Sequence, residues 1–158
     1  MSPLETVDLE EYYPKEEIIG LDLKPYLFMD LIIKEKDFRA ALQSTDWSIY
    51  QGKIVAVTCS ADAVIPVWAY MLLASYLEPV ARDIIMGNQD EALRQSVLKR
   101  IEAIDISGFK DKKVVVKGCG NLPIGDFAYM EITKRLRSVS KSIMYGEPCS
   151  TVPIYKRK

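Results

Sequence analysis

The sequence contains no histidine among its 158 residues, and this absence removes the side chain most often used as a catalytic base and metal ligand. Ser-His-Asp and Cys-His catalytic sites and all histidine-ligated metal sites are therefore excluded. The net charge is only −1, so the chain also lacks the strong positive field that drives binding to nucleic acids and anionic lipids. Carboxylates, lysines and three cysteines remain to carry any chemistry.

A secretion signal and a membrane-spanning run are missing as well. Residues 1–17 are acidic and lack the basic region and apolar stretch of a signal peptide. The longest uncharged run, residues 63–77, is shorter than the roughly 20 residues needed to cross a bilayer. We predict a cytoplasmic protein with no membrane and no nucleic-acid partner. In that reducing compartment the cysteines are expected as free, catalytic or metal-bound thiols rather than disulfides.

Two segments of the chain resemble each other, residues 54–87 and residues 114–146. They superpose with one single-residue gap after the cysteine. The aligned positions include the cysteines, an Ala-Tyr-Met triplet and the closing glycines: Cys59 with Cys119, residues 69–71 with 128–130, and Gly87 with Gly146. Because the triplet and the cysteine are not dictated by periodicity, the pattern predicts an internal repeat.

Each copy has the pattern of a β-α-β unit, a short β-branched run followed by an apolar helix and a second strand. We predict an α/β fold with three layers and a mostly parallel sheet built from these two units, to which an N-terminal β-hairpin and helix are added. A chain of this length buries enough surface to form one domain, residues 1–158. Its expected parts are an N-terminal addition (1–53), the first repeat (54–87), a linking helix opened by an Asn88–Glu91 capping box (88–113), the second repeat (114–146) and a C-terminal edge strand (147–158).

The three cysteines mark the predicted functional edge. Cys59 and Cys119 each follow the first strand of a repeat, and Cys149 follows the last strand of the second repeat. Ligands of parallel α/β sheets bind beyond the carboxyl ends of the strands, and the repeat places Asp90 at the position of Cys149. Three thiolates and a carboxylate suit zinc, iron or an iron–sulfur cluster. Supporting polar residues at this edge are Ser60, Asp62, Asn121, Glu147 and Ser150.

Two other interpretations of the cysteines stay open. A thiol at a helix N-terminus is activated as a nucleophile, so Cys59 or Cys119 is also a candidate for accepting sulfur as a persulfide or for cycling as a redox pair. Cysteine is also among the residues most often buried, so all three thiols are equally candidates for inert core positions. Whether the protein is an enzyme is left open by the sequence.

The helix of the first repeat, residues 66–81, is apolar around its whole circumference. Such a helix must be covered on both sides, either by the N-terminal addition or by a second subunit. We predict a homodimer on this basis. The interface candidates are the large side chains Trp68, Tyr70, Leu72 and Tyr76.

Several segments carry a family resemblance, among them KEKDFRAALQSTDWS, CSADAVIPVWAYML and KSIMYGEPCSTVPIYK. They resemble domain-of-unknown-function family 2480, and the similarity runs from about Leu21 to Lys156. The family has no established activity. The resemblance implies that members of the family are associated with sulfur-mobilisation genes. This association favours a role accessory to iron–sulfur cluster assembly, with the assembly proteins as partners.

The leading hypothesis is therefore a cytoplasmic protein whose clustered thiolates handle a metal or sulfur. The alternative hypothesis is a non-catalytic protein–protein interaction protein whose cysteines are buried and inert. An enzyme that binds a phosphate-bearing ligand ranks last, because neither a G-x-G-x-x-G nor a G-x-x-x-x-G-K loop is present.

Overall fold

The computed structural model describes residues 4–118, 120–147 and 150–158. Its strands and helices confirm the predicted mixed α/β class. None of the helices in these ranges is long and apolar enough to cross a membrane. In chain order the elements are β1 (Leu4–Asp8), β2 (Ile18–Asp22), α1 (Glu35–Ser44), β3 (Ile54–Thr58), α2 (Val67–Leu77), β4 (Asp83–Met86), α3 (Gln89–Glu102), β5 (Lys113–Lys117), α4 (Asp126–Leu136), β6 (Ser142–Glu147) and β7 (Ser150–Lys156).

The strands form two sheets, and the chain divides into two compact units. One unit comprises Lys15–Leu93 and is called the middle unit. The other, called the terminal unit, comprises the residues up to Pro14 together with Arg94–Lys158. Each unit contains one sheet, in the order β2-β3-β4 for the middle unit and β1-β5-β6-β7 for the terminal unit.

The sheet of the middle unit is entirely parallel, with β3 at its centre. Side chains alternate between the two faces of a strand, and both faces of β3 are buried. On one face Val55 and Val57 join the core formed with α1 and α2, including Phe38, Leu42, Leu73 and Leu77. On the other face Ile54 and Ala56 pack with Ile85 and with Ala92 of α3. Within this unit, helices α1 and α2 cover one face of the sheet, and the start of α3 lies against the other.

The sheet of the terminal unit has three parallel strands and an antiparallel edge strand. Residues Val114, Val115 and Val116 of β5 are all buried. Strand β7 lies beside β6 only, and its pairing is interrupted by a bulge at Ile143/Met144. Pro153 lacks a backbone N–H, so an edge strand is where it is tolerated.

The N-terminal strands do not form the hairpin that the sequence suggested. Strand β1 pairs in parallel with β5, and β2 pairs in parallel with β3. The physical reason is that β3 and β5 are buried strands whose backbone groups need hydrogen-bond partners on both sides. Each N-terminal strand supplies that second edge to a different sheet.

The same backbone hydrogen bonds recur 59 residues further along the chain. The Arg82 N–H donates to the Lys53 carbonyl at 2.8 Å, and the Lys141 N–H donates to the Lys112 carbonyl at 2.8 Å. Gly52 (φ 70°) and Asp111 (φ 60°) occupy the matching left-handed positions. The fully buried helix positions follow the same spacing: Ala69 with Ala128, Leu73 with Ile132, and Leu77 with Leu136.

The 59-residue spacing holds through the strands without a gap. It therefore pairs different residues near the cysteines than the sequence alignment did. Ile54 lies beside Asp83 in the middle unit, and Lys113 lies beside Ser142 in the terminal unit. The position of Cys59 then corresponds to Gly118 rather than to Cys119, which lies outside the described residues. A Cβ at Gly118 would come within 2.5 Å of the Tyr129 hydroxyl oxygen, so the glycine makes room for that tyrosine.

Candidate functional site

Cys59 is the thiol that the structure describes. It follows β3 at the carboxyl end of the strand, is partly exposed and forms no disulfide. Its sulfur donates a long 3.6 Å hydrogen bond to the Ala61 carbonyl. Burial raises the pKa of Tyr70 on α2, and the nearby Cys59 is the second cause of that shift. The thiol and the tyrosine hydroxyl are therefore electrostatic neighbours.

Ser60 is held by a residue that the sequence analysis did not select, Asp22 at the end of β2. The Asp22 carboxylate accepts hydrogen bonds from the Ser60 N–H (2.9 Å), the Ser60 hydroxyl and the Lys24 N–H (3.0 Å). The hydroxyl bond is the main cause of a lowered Asp22 pKa. A sequence signal was available, since Val7-Asp8-Leu9 and Leu21-Asp22-Leu23 repeat one pattern at the ends of β1 and β2. Ser60 here ties its loop to β2.

The predicted thiolate quartet is described only in part. Cys119 and Cys149 lie outside the described residues, while Asp90 is exposed in the first turn of α3. Within residues 4–118, 120–147 and 150–158, no three Cys, Asp or Glu side chains are grouped so that they could hold a metal ion. The metal or sulfur site stays a prediction. The remaining supporting residues, Asp62, Asn121, Glu147 and Ser150, are all exposed.

The four interface candidates on α2 pack within their own unit. Trp68, Tyr70, Leu72 and Tyr76 are half-buried against the core of the middle unit. The Trp68 ring meets the Phe38 ring edge to face at 6.1 Å, and Tyr76 stacks on Trp47 at 5.2 Å. The N-terminal part of the chain therefore supplies the cover for these side chains.

A different side of α2 is exposed. Val67 is 77% and Met71 is 71% exposed, one helical turn apart. Beside them lies a groove of about 330 Å³ between α2 and β4. Its far side includes Met86 of β4, which is 61% exposed. The lining is apolar apart from one tyrosine hydroxyl: Val57, Tyr70, Met71, Leu73, Ala74, Ile84 and Met86.

Strand β4 is an edge of its sheet. It pairs with β3 on one side, and within the described residues no strand lies on its other side. An edge strand presents backbone N–H and C=O groups that can pair with another extended segment. The apolar groove and the open edge are thus adjacent features of one surface, which we call the α2/β4 groove.

The terminal unit has a groove of about 340 Å³ at the corresponding place. Five of its lining positions match those of the α2/β4 groove at the 59-residue spacing. They are Val116, Tyr129, Thr133, Ile143 and Tyr145, in place of Val57, Tyr70, Ala74, Ile84 and Met86. The difference is that β7 already occupies the edge of β6 here, and its Ile154 lines the groove.

Comparison with known proteins gives a family and nothing more detailed. A family model described as protein of unknown function (DUF2480) matches residues 1–157. No curated protein and no solved structure matches the chain.

Proposed function

Because this chain belongs to the DUF2480 family of proteins of unknown function, we propose its function from its own geometry: it is a protein-binding module. The α2/β4 groove binds an extended segment of a partner protein. The observation that supports this proposal is the exposure of Met71 (71%) and Met86 (61%) beside an edge strand without a described neighbour. This is the non-catalytic interaction function that the sequence left as an alternative.

The edge of β4 has some of the features that protect an exposed strand and lacks others, because it is only four residues long and begins with Asp83 but has no lysine, proline or bulge. Proteins block such edges with lysine, proline or a β-bulge. Strand β7, the edge of the other sheet, has both Pro153 and a bulge. The sequence of β4, Asp83-Ile84-Ile85-Met86, has neither lysine nor proline. An open strand edge beside an apolar groove is the arrangement used by domains that bind a peptide as an added strand.

Selection from a library of random peptides, with the full chain immobilised, tests the proposal. We expect enrichment of extended sequences with apolar residues at alternate positions. Met71→Asp places a charge in the α2/β4 groove and should abolish the enrichment. Met130→Asp is the matched control, because Met130 lies 59 residues further on and is 77% exposed on α4. Enrichment that survives Met71→Asp, or no enrichment at all, contradicts the proposal.

The predicted homodimer is the competing occupant of the same surface. Two copies could place their β4 strands side by side, because an edge strand can pair with its own copy. Sedimentation velocity separates this case from peptide binding. A wild-type dimer that becomes a monomer in Met71→Asp, combined with failed peptide selection, would identify a second copy as the occupant.

Metal or sulfur handling, accessory to iron–sulfur cluster assembly, is the second candidate function. The observation that favours it is the partly exposed Cys59 thiol at the carboxyl end of β3, beside Tyr70. Elemental analysis of anaerobically purified protein without a histidine tag is the test. Zinc or iron that disappears in Cys59→Ser, Cys119→Ser, Cys149→Ser and Asp90→Asn would support the thiolate quartet. A metal-free wild type would leave sulfur transfer as the remaining form of this function. Fast alkylation of Cys59 in a Cys119→Ser/Cys149→Ser variant would favour sulfur transfer.

A further inference from the structure

We infer the chemistry and direction of the partner segment: it pairs antiparallel with β4 and places a lysine or arginine against Glu78. This inference rests on the proposed function, since it describes what the α2/β4 groove binds. It is drawn from the terminal unit, where a strand already lies at the corresponding edge.

The direction follows from strand β7. Strands β4 and β6 occupy the same place in their sheets, each parallel to the central strand in the same register. Strand β7 runs antiparallel to β6, with Lys156 beside Ser142 and Ser150 beside Glu147. Antiparallel pairing is also slightly more stable per residue than parallel pairing. A segment added to β4 in the same way has its C-terminal end near Asp83 and its N-terminal end near Met86.

The apolar requirement follows from Ile154. This β7 side chain lines the groove of the terminal unit together with Ile143 and Tyr145 of β6. Ile84 and Met86 hold the matching positions in the α2/β4 groove. A partner residue at the place of Ile154 therefore meets an apolar surface, and we expect an aliphatic side chain there.

The basic residue follows from the charge at the end of α2. Glu78 and Arg137 are matching residues, because each ends its helix and donates its N–H to a carbonyl four residues earlier, at 2.9 and 3.0 Å. The Arg137 guanidinium lies over the Tyr155 ring, 3.8 Å from its centre. Glu78 is exposed and negative, so the residue that takes the place of Tyr155 beside β4 meets a carboxylate. Lysine or arginine is the complementary choice.

Two synthetic peptides test this charge preference on the full-length chain. Both have the sequence of residues 150–158, one with Tyr155→Lys and the other with Tyr155→Glu. We expect the lysine peptide to bind about fivefold more tightly, the effect of exchanging one attractive exposed charge pair for a repulsive one. In the Glu78→Lys variant the order should reverse. The control Glu35→Lys, on α1, changes the net charge equally and should leave the preference intact.

Nuclear magnetic resonance locates the peptide and gives its direction. A nitroxide on the C-terminus of the lysine peptide should broaden the amide signals at Asp83, and one on its N-terminus should broaden those at Met86. Met71→Asp should weaken binding about tenfold, through the lost apolar contact and the added charge. The opposite broadening pattern, signals that change only at β6, or a preference unaffected by Glu78→Lys would overturn the inference.

These outcomes separate the inference from the proposed function. If random-peptide selection depends on Met71 but the enriched sequences carry no basic residue at the Glu78 end, the groove binds a partner and the inferred chemistry is wrong. If neither the library nor the lysine peptide binds, both are wrong.

Discussion

Asp22 and Ser60 join the ends of two neighbouring strands. The Asp22 carboxylate at the end of β2 accepts the N–H and the hydroxyl of Ser60, the second residue after β3. The loop that begins at Cys59 is thereby anchored to a strand that lies 38 residues earlier in the chain. Cys59 lies between β3 and this anchor.

The first prediction concerns the pH dependence of stability. The Asp22 pKa is lowered by its hydrogen bonds, chiefly the one from the Ser60 hydroxyl. Its ionised form therefore stabilises the fold at pH values above its unfolded pKa of about 4, and this contribution is lost as the pH falls through the lower folded pKa. Asp22→Asn should lack that component, which is below about 1 kcal/mol because the carboxylate is solvated. Urea unfolding across this acidic range measures it.

Asp62→Asn is the control for this experiment, because Asp62 is exposed in the same loop but is not the carboxylate that joins Ser60 to β2. It should retain the acid-induced loss of stability seen in the wild type. Identical pH profiles for wild type and Asp22→Asn would show that the carboxylate contributes nothing through its charge.

The second prediction concerns the start of α3. The Glu91 N–H donates to the Asn88 side chain at 2.8 Å, and the Asn88 N–H donates to the Glu91 carboxylate at 3.1 Å. Asn88→Ala removes this cap and should lower the free energy of unfolding by about 1 kcal/mol. Asn88→Asp keeps an acceptor and should cost less. Chemical denaturation measures both, and equal losses would argue against a capping role.

The third prediction concerns the end of the same helix. Arg135 of α4 donates two hydrogen bonds from one guanidinium nitrogen, to the carbonyls of Ile101 (2.7 Å) and Ile104 (2.8 Å). Arg135→Met should cost about 1.5–3 kcal/mol, because these are bonds from a charged group to carbonyls at the helix end; the Ile101 carbonyl keeps a second bond, from the Ile104 N–H at 3.2 Å. Lys134→Met removes only an i,i+3 ion pair with Glu131 at 2.8 Å, from a lysine side chain that is 71% exposed, and should cost less than about 1 kcal/mol. A similar loss in both variants would contradict this account.

The fourth prediction pairs Gly120 with Glu10. A Cβ at Gly120 would overlap the Glu10 carboxylate, whose Oε1 is buried and has no hydrogen-bond partner among the described residues. Gly120→Ala should destabilise the protein by no more than about 1.5 kcal/mol, because the overlapping atoms are the flexible end of the Glu10 side chain, which can move to another rotamer. Glu10→Ala removes the obstructing group and should recover most of that loss in the double variant. Thermal unfolding of the four proteins measures the coupling.

Gly108→Ala is the control for the glycine substitution, because a Cβ at Gly108 would meet open space. It should leave stability nearly unchanged. Additive losses in the Gly120→Ala/Glu10→Ala double variant would mean that the two residues do not clash.

Local sequence patterns predicted the elements around the site well. The Asn88–Glu91 capping box is present, and the β-branched runs at residues 54–58 and 114–117 are strands. These features depend on residues close together in the chain, so propensity and capping chemistry are sufficient to identify them.

The pairing of distant segments could not be predicted in the same way. The N-terminal addition was expected to contribute a β-hairpin, but its two strands, β1 and β2, each lie beside a different central strand. The exposed side of α2 was also missed. An apolar helix gives no periodic signal for which side is covered, and Trp68 and Tyr76 were selected where Val67 and Met71 are the exposed residues.

The sequence by itself determined the mixed α/β class, the family and the absence of histidine chemistry. These properties depend on composition and short-range order alone. Only the tertiary structure decided that β7 occupies the edge of one sheet while the matching edge at β4 is open within the described residues. It also showed that Glu78 of the middle unit and Arg137 of the terminal unit hold matching positions at the ends of their helices. The reason is physical: strand pairing and burial depend on contacts between segments far apart in the chain, whose free energy no local pattern contains.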